Sequence, residues 1–412
     1  AHISRGGFMA NNWFLQDSRL SLEVVILLIG SMTMLILGIL LFPVYAGILP
    51  YYENGLLGLL LFVFALQTIT LGKTPFGDAP RSWLLIIAGA ATAAIGIVAC
   101  FIPHAMGSVP RILLIICFGL GGIFLLLQLF LSKSKFQTWQ KYGGVFHHLI
   151  ISCALVYTLS IVIAAILYQP ELITTPQTAA TALVFGLAIL YLSWILQKIH
   201  RAYPDSGEST GIQKTGLLAT ADVSIDNIIL MVLGLFMLIL GILLIPVNLG
   251  LLPFSGSAQL GLMMVIFAVQ MIAFGNTPLG PFPRSRLMVL CGLVFAALGI
   301  ASCIIPGILV AWLTVLIGLL NLAGGIAAIV KIVIPALKAP ESAEPAPGIQ
   351  VRITMATLAM NVLAILFGTS MLIPGIFPGL VLGVVLAANG CVLLFLVYLL
   401  VQVQRMAKAA AG

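Results

Sequence analysis

Charge is what this sequence has least of. Of its 412 residues, 7% are Asp, Glu, Lys or Arg, against roughly 25% in an ordinary soluble domain. So few charges do not cover a water-facing surface. With 62% hydrophobic residues and a mean hydropathy of +1.23, most of the surface must face lipid, and a soluble globular chain is excluded. None of the eleven acidic residues falls in the middle of an apolar run. An ion-coupled pump ordinarily needs an intramembrane charge, so such coupling is disfavoured, while facilitated diffusion stays open.

Reactive side chains are equally sparse. The six cysteines (Cys100, Cys117, Cys153, Cys291, Cys303, Cys391) lie singly in apolar runs. No CxxC spacing marks a zinc site or disulfide framework, so they read as small packed thiols. Of the five histidines, none pairs with another four residues away inside a span. Haem ligation from helix ends by His147, His148 and His200 has little to support it. Gly-rich nucleotide loops, Ser/His/Asp sets and HExxH are missing too. No enzyme, metal or cofactor is expected. The stretch before Leu20 is mildly polar and the first apolar run is long enough to span, so no cleavable signal peptide is expected.

What is present is a long internal repeat. Met34 to Pro50 reads MLILGILLFPVYAGILP and Met237 to Pro253 reads MLILGILLIPVNLGLLP, identical at 13 of 17 positions with an offset of 203. The same offset carries Gln67 onto Gln270, Thr74-Pro75 onto Thr277-Pro278, Pro80-Arg81-Ser82 onto Pro283-Arg284-Ser285, and Cys100 onto Cys303. The chain is therefore a duplication with both copies running in one direction. Within each half, three apolar runs end at a proline: Pro43, Pro103 and Pro170, then Pro246, Pro306 and Pro374. Proline interrupts a helix, so each half divides into three helical hairpins. The spans fall near 23–43, 55–72, 83–103, 110–132, 147–168, 177–199, 226–246, 257–275, 286–306, 308–334, 351–373 and 377–403. Each approximates the ~20 residues that cross a bilayer, where only helices satisfy their own backbone.

Placing the N-terminus inside puts 17 of the 18 Lys and Arg residues on the inner side and leaves only Arg111 outside. That asymmetry follows the positive-inside rule, with both termini cytoplasmic. The +7 net charge is thus a matter of membrane orientation, and nucleic acid is not an expected partner. Glu23 and Asp226, equivalent residues at inner helix starts, suit the positive end of the helix dipole.

Two sets of polar residues are candidates for function. Gln67 and Gln270, retained in both copies, either line a central site or bond between helices, worth about 0.6–2 kcal/mol. Arg81 and Arg284 close matched Gly/Pro-rich loops, Gly72 to Ser82 and Gly275 to Ser285. Each is either a rigid turn with a positive anchor, or a contact for a lipid headgroup or partner. Matched small residues, Gly89-Ala93-Gly96 with Gly292-Ala296-Gly299 and Gly121-Gly122 with Gly324-Gly325, have the spacing of close helix packing.

The segment 291–330, CGLVFAALGIASCIIPGILVAWLTVLIGLLNLAGGIAAIV, with LGILLFPVYAG and LGILLIPVNLG, resembles the hairpins of the HdeD family of bacterial inner-membrane proteins. The chain would be two fused units of that kind. The resemblance implies a role in acid-stress resistance and no catalytic residues to carry over. The six-plus-six arrangement with a central linker also resembles the major facilitator superfamily. Gly77-Asp78 with Arg81, and Gly280 with Arg284 and Arg286, look like parts of its repeated loop. Pro281 stands in place of the second Asp.

The expected fold is all-α, a polytopic transmembrane bundle of about twelve helices in two parallel six-helix repeats, each three hairpins. Its parts are a cytoplasmic segment 1–22, repeat one at 23–202, a linker at 203–225, repeat two at 226–404 and a tail at 405–412. The expected function is that of a non-enzymatic, HdeD-like inner-membrane protein, a structural, interaction or stress-related component. The alternatives are a facilitator-type transporter of a small or apolar solute, or an anchor subunit of a larger complex. Its partners would be the bilayer and other complex subunits or a second copy.

Overall fold

The computed structural model describes residues 16–131, 144–202, 223–338 and 347–411. The first fifteen residues, the linker at 203–222 and the Pro/Glu-rich stretch at 339–346 lie outside the described residues, as do Arg5, Lys133, Lys135, Lys141 and Lys214.

Twelve helices among the described residues are long and apolar enough to cross a membrane. In the first unit they are α1 Leu22–Tyr45, α2 Glu53–Leu71, α3 Trp83–Phe101, α4 Val109–Leu131, α5 Val145–Tyr168 and α6 Thr175–Ala202. In the second they are α7 Ile225–Asn248, α8 Gly256–Phe274, α9 Arg286–Ile304, α10 Val310–Lys338, α11 Gly348–Leu372 and α12 Gly379–Ala411. The protein is an all-α polytopic membrane protein. Its flanks carry large exposed apolar side chains such as Trp312, Leu337 and Phe130, which the bilayer covers.

Local chemistry sets the helix starts. Ser21 accepts from Val24 N–H, Ser82 from Leu85, Ser224 from Asn227 and Ser285 from Met288, each satisfying one of the orphan donors of a first turn. The stops differ from the proline reading at two places. α1 and α7 run through Pro43 and Pro246 and end two residues later. The true terminators are Gly47 and Gly250, both at φ 72°. The next amides, Ile48 and Leu251, donate back to the Pro43 and Pro246 carbonyls at 2.9 Å. A left-handed glycine closes the helix, and a proline one turn earlier forfeits a single hydrogen bond that the chain end tolerates.

Short loops join α1–α2, α3–α4 and α5–α6 in chain order, yet the most extensive packing is α1 on α6, α2 on α3 and α4 on α5. The second unit repeats this as α7 on α12, α8 on α9 and α10 on α11. Glycines permit the approach. A Cβ on Gly58 would meet Gly96 O at 2.4 Å, and one on Gly241 would meet Ala387 N at 2.1 Å. Gly89, Ala93 and Gly96 form the buried face of α3 on α2.

The two units meet through α1, α2 and α3 against α7, α8 and α9. The contacts are related by a pseudo-two-fold: α1 touches α9 as α7 touches α3, and α2 touches α9 as α8 touches α3. Tyr52 N–H donates to Ile304 O at 2.9 Å, and its counterpart Ser255 N–H donates to Phe101 O at 2.8 Å. Phe101 packs edge-on against Phe236 and Phe254 of the other unit. α2 and α8 are the most enclosed helices, with 72% and 89% of their spans buried. The seam is apolar and closely packed.

The basic face of the bundle carries Lys73, Arg81 and Arg284 in the α2–α3 and α8–α9 loops and Arg286 at the start of α9. Each loop is a miniature hairpin, pairing Lys73 with Asp78 and Thr74 with Gly77 in one, and Asn276 with Pro281 and Thr277 with Gly280 in the other. On the opposite face Arg111, the sole basic residue there in the sequence reading, donates to Glu53 at 2.5 Å.

Candidate functional site

A cavity of about 930 Å³ lies inside the first unit, walled by α1, α2, α4, α5, α6 and the hairpin at 73–79. Every residue of its wall belongs to that unit. Its volume is in the range of small-molecule sites, about 300–1,000 Å³.

The wall is graded. Toward the basic face stand Glu23, Lys73, Asp78, Gln67 and Gln128. Lys73 Nζ donates to Glu23 Oε1, tying the α2–α3 hairpin to the first turn of α1. The Glu23 side chain is 15% exposed and that of Lys73 is 33%, so the pair sits at the edge of water. Gln128 Nε2 donates to Phe76 O at 3.4 Å and holds the hairpin tip. Pro75 O lies where a Cβ on Gly121 would stand, 2.7 Å away, so this glycine gives the hairpin its seat. Toward the membrane interior the wall becomes apolar, with Ile26, Met34, Leu60, Phe64, Phe118, Phe185 and Ile189. Phe118 meets Phe64 and Phe185 edge-on at 5.0 and 5.9 Å, an aromatic floor.

One stretch of the wall departs from regular helix. Residues Ile116–Leu120 of α4 form a π turn, which contributes Cys117 and Phe118 to the cavity. A π turn shifts carbonyls out of the i→i+4 ladder and recurs at functional sites. Here Ser160 Oγ on α5 donates to Phe118 O at 3.0 Å, supplying a partner for a carbonyl of that turn. The corresponding part of α10 is continuous α-helix.

The second unit has the same frame with different side chains. At the offset of 203, Lys73 becomes Asn276, Asp78 becomes Pro281, Gln128 becomes Lys331 and Glu23 becomes Asp226. From α5 onward the structural offset is 204: Gly122 abuts Tyr157 O and Ile161 as Gly325 abuts Asn361 O and Ile365. Tyr157 thus becomes Asn361, Ser160 becomes Ala364 and Cys153 becomes Thr357. Among the described residues only the first unit joins its loop to its first helix by an ion pair.

The residues singled out in the sequence separate in the structure. Gln67 lines the cavity and Gln270 does not, so the two do not share one central site. Neither carboxamide has a hydrogen-bond partner within the described residues. Arg81 Nη1 reaches Val223 O at 3.5 Å, at the lead-in to α7. The Arg284 loop receives the lead-in to α1: Ser18 N–H donates to Arg284 O at 2.9 Å and Arg286 N–H to Gln16 O at 3.2 Å. Each arginine loop therefore braces the start of the other unit's first helix. Asn321 and Asn361 bond to their own helices at Ile317 O and Thr357 O. His148 Nδ1 lies 3.0 Å from the Tyr191 hydroxyl, and His200 Nδ1 lies 2.8 Å from Leu196 O in its own helix. Among the described residues no three His, Cys, Asp or Glu side chains gather as a metal site.

Sequence reasoning missed Glu23–Lys73, Asp78, Tyr157 and Ser160 as members of one site. Glu23 and Lys73 are 50 residues apart, and each taken alone looks like a helix-end charge. The readable signal was divergence between the copies, at Lys73 against Asn276 and Asp78 against Pro281.

No protein-family model, curated protein or solved structure matches this chain.

Proposed function

We propose that this chain is a non-enzymatic protein of the bacterial inner membrane, HdeD-like in its duplicated hairpin pattern, with both termini cytoplasmic. In this reading the first unit binds a small amphipathic molecule from the cytoplasmic side and the second unit is its scaffold. The observation that carries the reading is the position of the cavity. It lies wholly within one unit, while the seam between the units is closed by Tyr52–Ile304, Ser255–Phe101 and the Phe101 cluster. Carriers built from parallel repeats bind substrate at the interface of the repeats and work by rocking one against the other. A cavity inside one repeat, with polar groups at one end and an aromatic floor at the other, is better matched to holding a ligand than to passing it across. A structural or stress-related role fits a protein that senses or sequesters such a ligand. The anchor-subunit alternative has no comparable feature in its favour.

A facilitator-type carrier is the second reading, favoured by the polar end of the cavity standing on a single face. Reconstitution into sealed vesicles separates the two. The binding reading expects vesicles with and without protein to be equally permeable to small polar and apolar solutes. Saturable, protein-dependent flux would replace it with the carrier.

A further inference from the structure

The charges and the polarity gradient of the cavity specify the kind of molecule that fits. Two carboxylates, Glu23 and Asp78, stand on the wall against one ammonium, Lys73. The excess over the Glu23–Lys73 pair is a single negative charge. Asp78 is exposed and has no hydrogen-bond or ion-pair partner within the described residues. The Gln67 carboxamide on the same wall is likewise unpartnered, so its oxygen is free to accept. An anionic headgroup would face unpaired Asp78 and would compete with Glu23 for Lys73, whereas a cationic one meets an open carboxylate and a free amide oxygen.

The rest of the ligand is set by the far end. Met34, Phe64, Phe118 and Phe185 offer only apolar contact, and burial of a chain there contributes roughly 25 cal/mol per Å². Head and tail then lie in the same order as in the surrounding leaflet, with the head at the basic face and the tail toward the membrane interior. Such a molecule enters without inverting.

We propose that the cavity of the first unit selects an amphiphile with a primary ammonium head and an apolar chain, its head met by Asp78 and Gln67 and its chain lying on Phe118 and Phe185. This rests on the reading of the first unit as a binding unit. The second unit, with Pro281 for Asp78 and Asn276 for Lys73, has lost that selectivity. A free alkylamine and an ethanolamine phospholipid both supply a primary ammonium on an apolar chain, and the test separates them.

The probe is Cys153, which lines the cavity, in protein whose other five cysteines are replaced by alanine. Its rate of reaction with a small methanethiosulfonate reagent is measured in phosphatidylcholine nanodiscs. Hexylammonium is expected to slow labelling several-fold, with hexanoate and hexanol ineffective. Asp78→Asn, a change in an exposed loop that leaves the helices intact, is expected to remove most of that protection. Gln67→Ala is expected to weaken it. If nanodiscs of phosphatidylethanolamine alone slow the labelling, and Asp78→Asn restores it, the ammonium comes from the lipid. Protection by hexanoate equal to that by hexylammonium would overturn the cationic selectivity while leaving the cavity intact. A Cys153 that is inert in every condition would overturn both, because the cavity would then be closed.

Discussion

Tyr52 of the first unit donates its amide to Ile304 of the second at 2.9 Å. The mirrored bond from Ser255 to Phe101 makes the seam between the units a matched pair of backbone contacts. These bonds lie at the ends of α2, α3, α8 and α9 on the face that carries Glu53 and Arg111. They pair backbone groups that the close packing would otherwise leave unsatisfied, so the seam resists opening there. Helix-packing glycines extend the same closeness. A Cβ on Gly55 would stand 2.1 Å from Cys303 O across the seam, below any contact the backbone can absorb without moving.

Gly55→Ala is therefore expected to destabilise the folded protein by about 1–3 kcal/mol, the usual cost of overpacking. Gly30→Ala is its control: nothing lies within 4 Å of a Cβ there, and a helical Gly→Ala change is neutral or stabilising by up to roughly 1 kcal/mol. Thermal unfolding in detergent, read by size-exclusion retention, checks the pair. Equal midpoints for the two variants would contradict a close-packed seam.

Lys73→Met leaves Glu23 with its carboxylate 15% exposed and no cation beside it. The expected loss is on the order of 1–2 kcal/mol. That is less than the about 3–5 kcal/mol for breaking a fully buried pair, because the Lys73 side chain is 33% exposed. The reversed pair, Glu23→Lys with Lys73→Glu, is expected to recover part of the loss in a thermal-shift cycle, and additivity of the two single changes would show no coupling.

Ser160→Ala removes the hydroxyl that serves the Phe118 carbonyl at 3.0 Å. The carbonyl keeps its bond from the Gly121 amide, so the loss is that of one ordinary hydrogen bond, about 0.5–1.5 kcal/mol. The π turn should loosen as a result, and Cys117 within it should react faster with a thiol reagent. Unchanged Cys117 reactivity would show that the turn is held by other contacts.

Pro43→Ala and Gly47→Ala separate the two accounts of where α1 stops. If Gly47 at φ 72° is the terminator, its replacement costs about 1 kcal/mol through the left-handed backbone. Pro43→Ala restores a helix hydrogen bond at little or no cost. The reverse ranking in thermal stability would restore proline as the stop.

The twelve spans, the duplication and the small-residue faces were legible in the sequence because each is a local pattern. Hydropathy over about 20 residues announces a crossing helix, and the glycines of α3 lie at the spacing of a single helical face. What was not legible depends on tertiary proximity. Pro43 and Gly47 both look like stops, and only backbone geometry assigns the work to the glycine. Gln67 and Gln270 look equivalent in sequence, yet only Gln67 lines the cavity of the first unit, whose other polar wall residues Lys73, Asp78, Gln128 and Tyr157 differ in the second unit. The arginines of the matched loops had the appearance of surface contacts. Their loops also brace the lead-ins at Val223 and Ser18, which no local pattern announces.

On the proposed function, solvent and ligand reach the inside of the first unit but not the seam between the units. The direct measurement is thiol accessibility in lipid nanodiscs, comparing a Gln67→Cys protein lacking the six native cysteines with a protein retaining Cys303 alone. Cys303 is fully buried at the seam. A charged methanethiosulfonate reagent is expected to modify the cysteine at position 67 readily and to leave Cys303 unmodified. Rapid modification of Cys303, with position 67 silent, would place the water path between the units and contradict the proposed function.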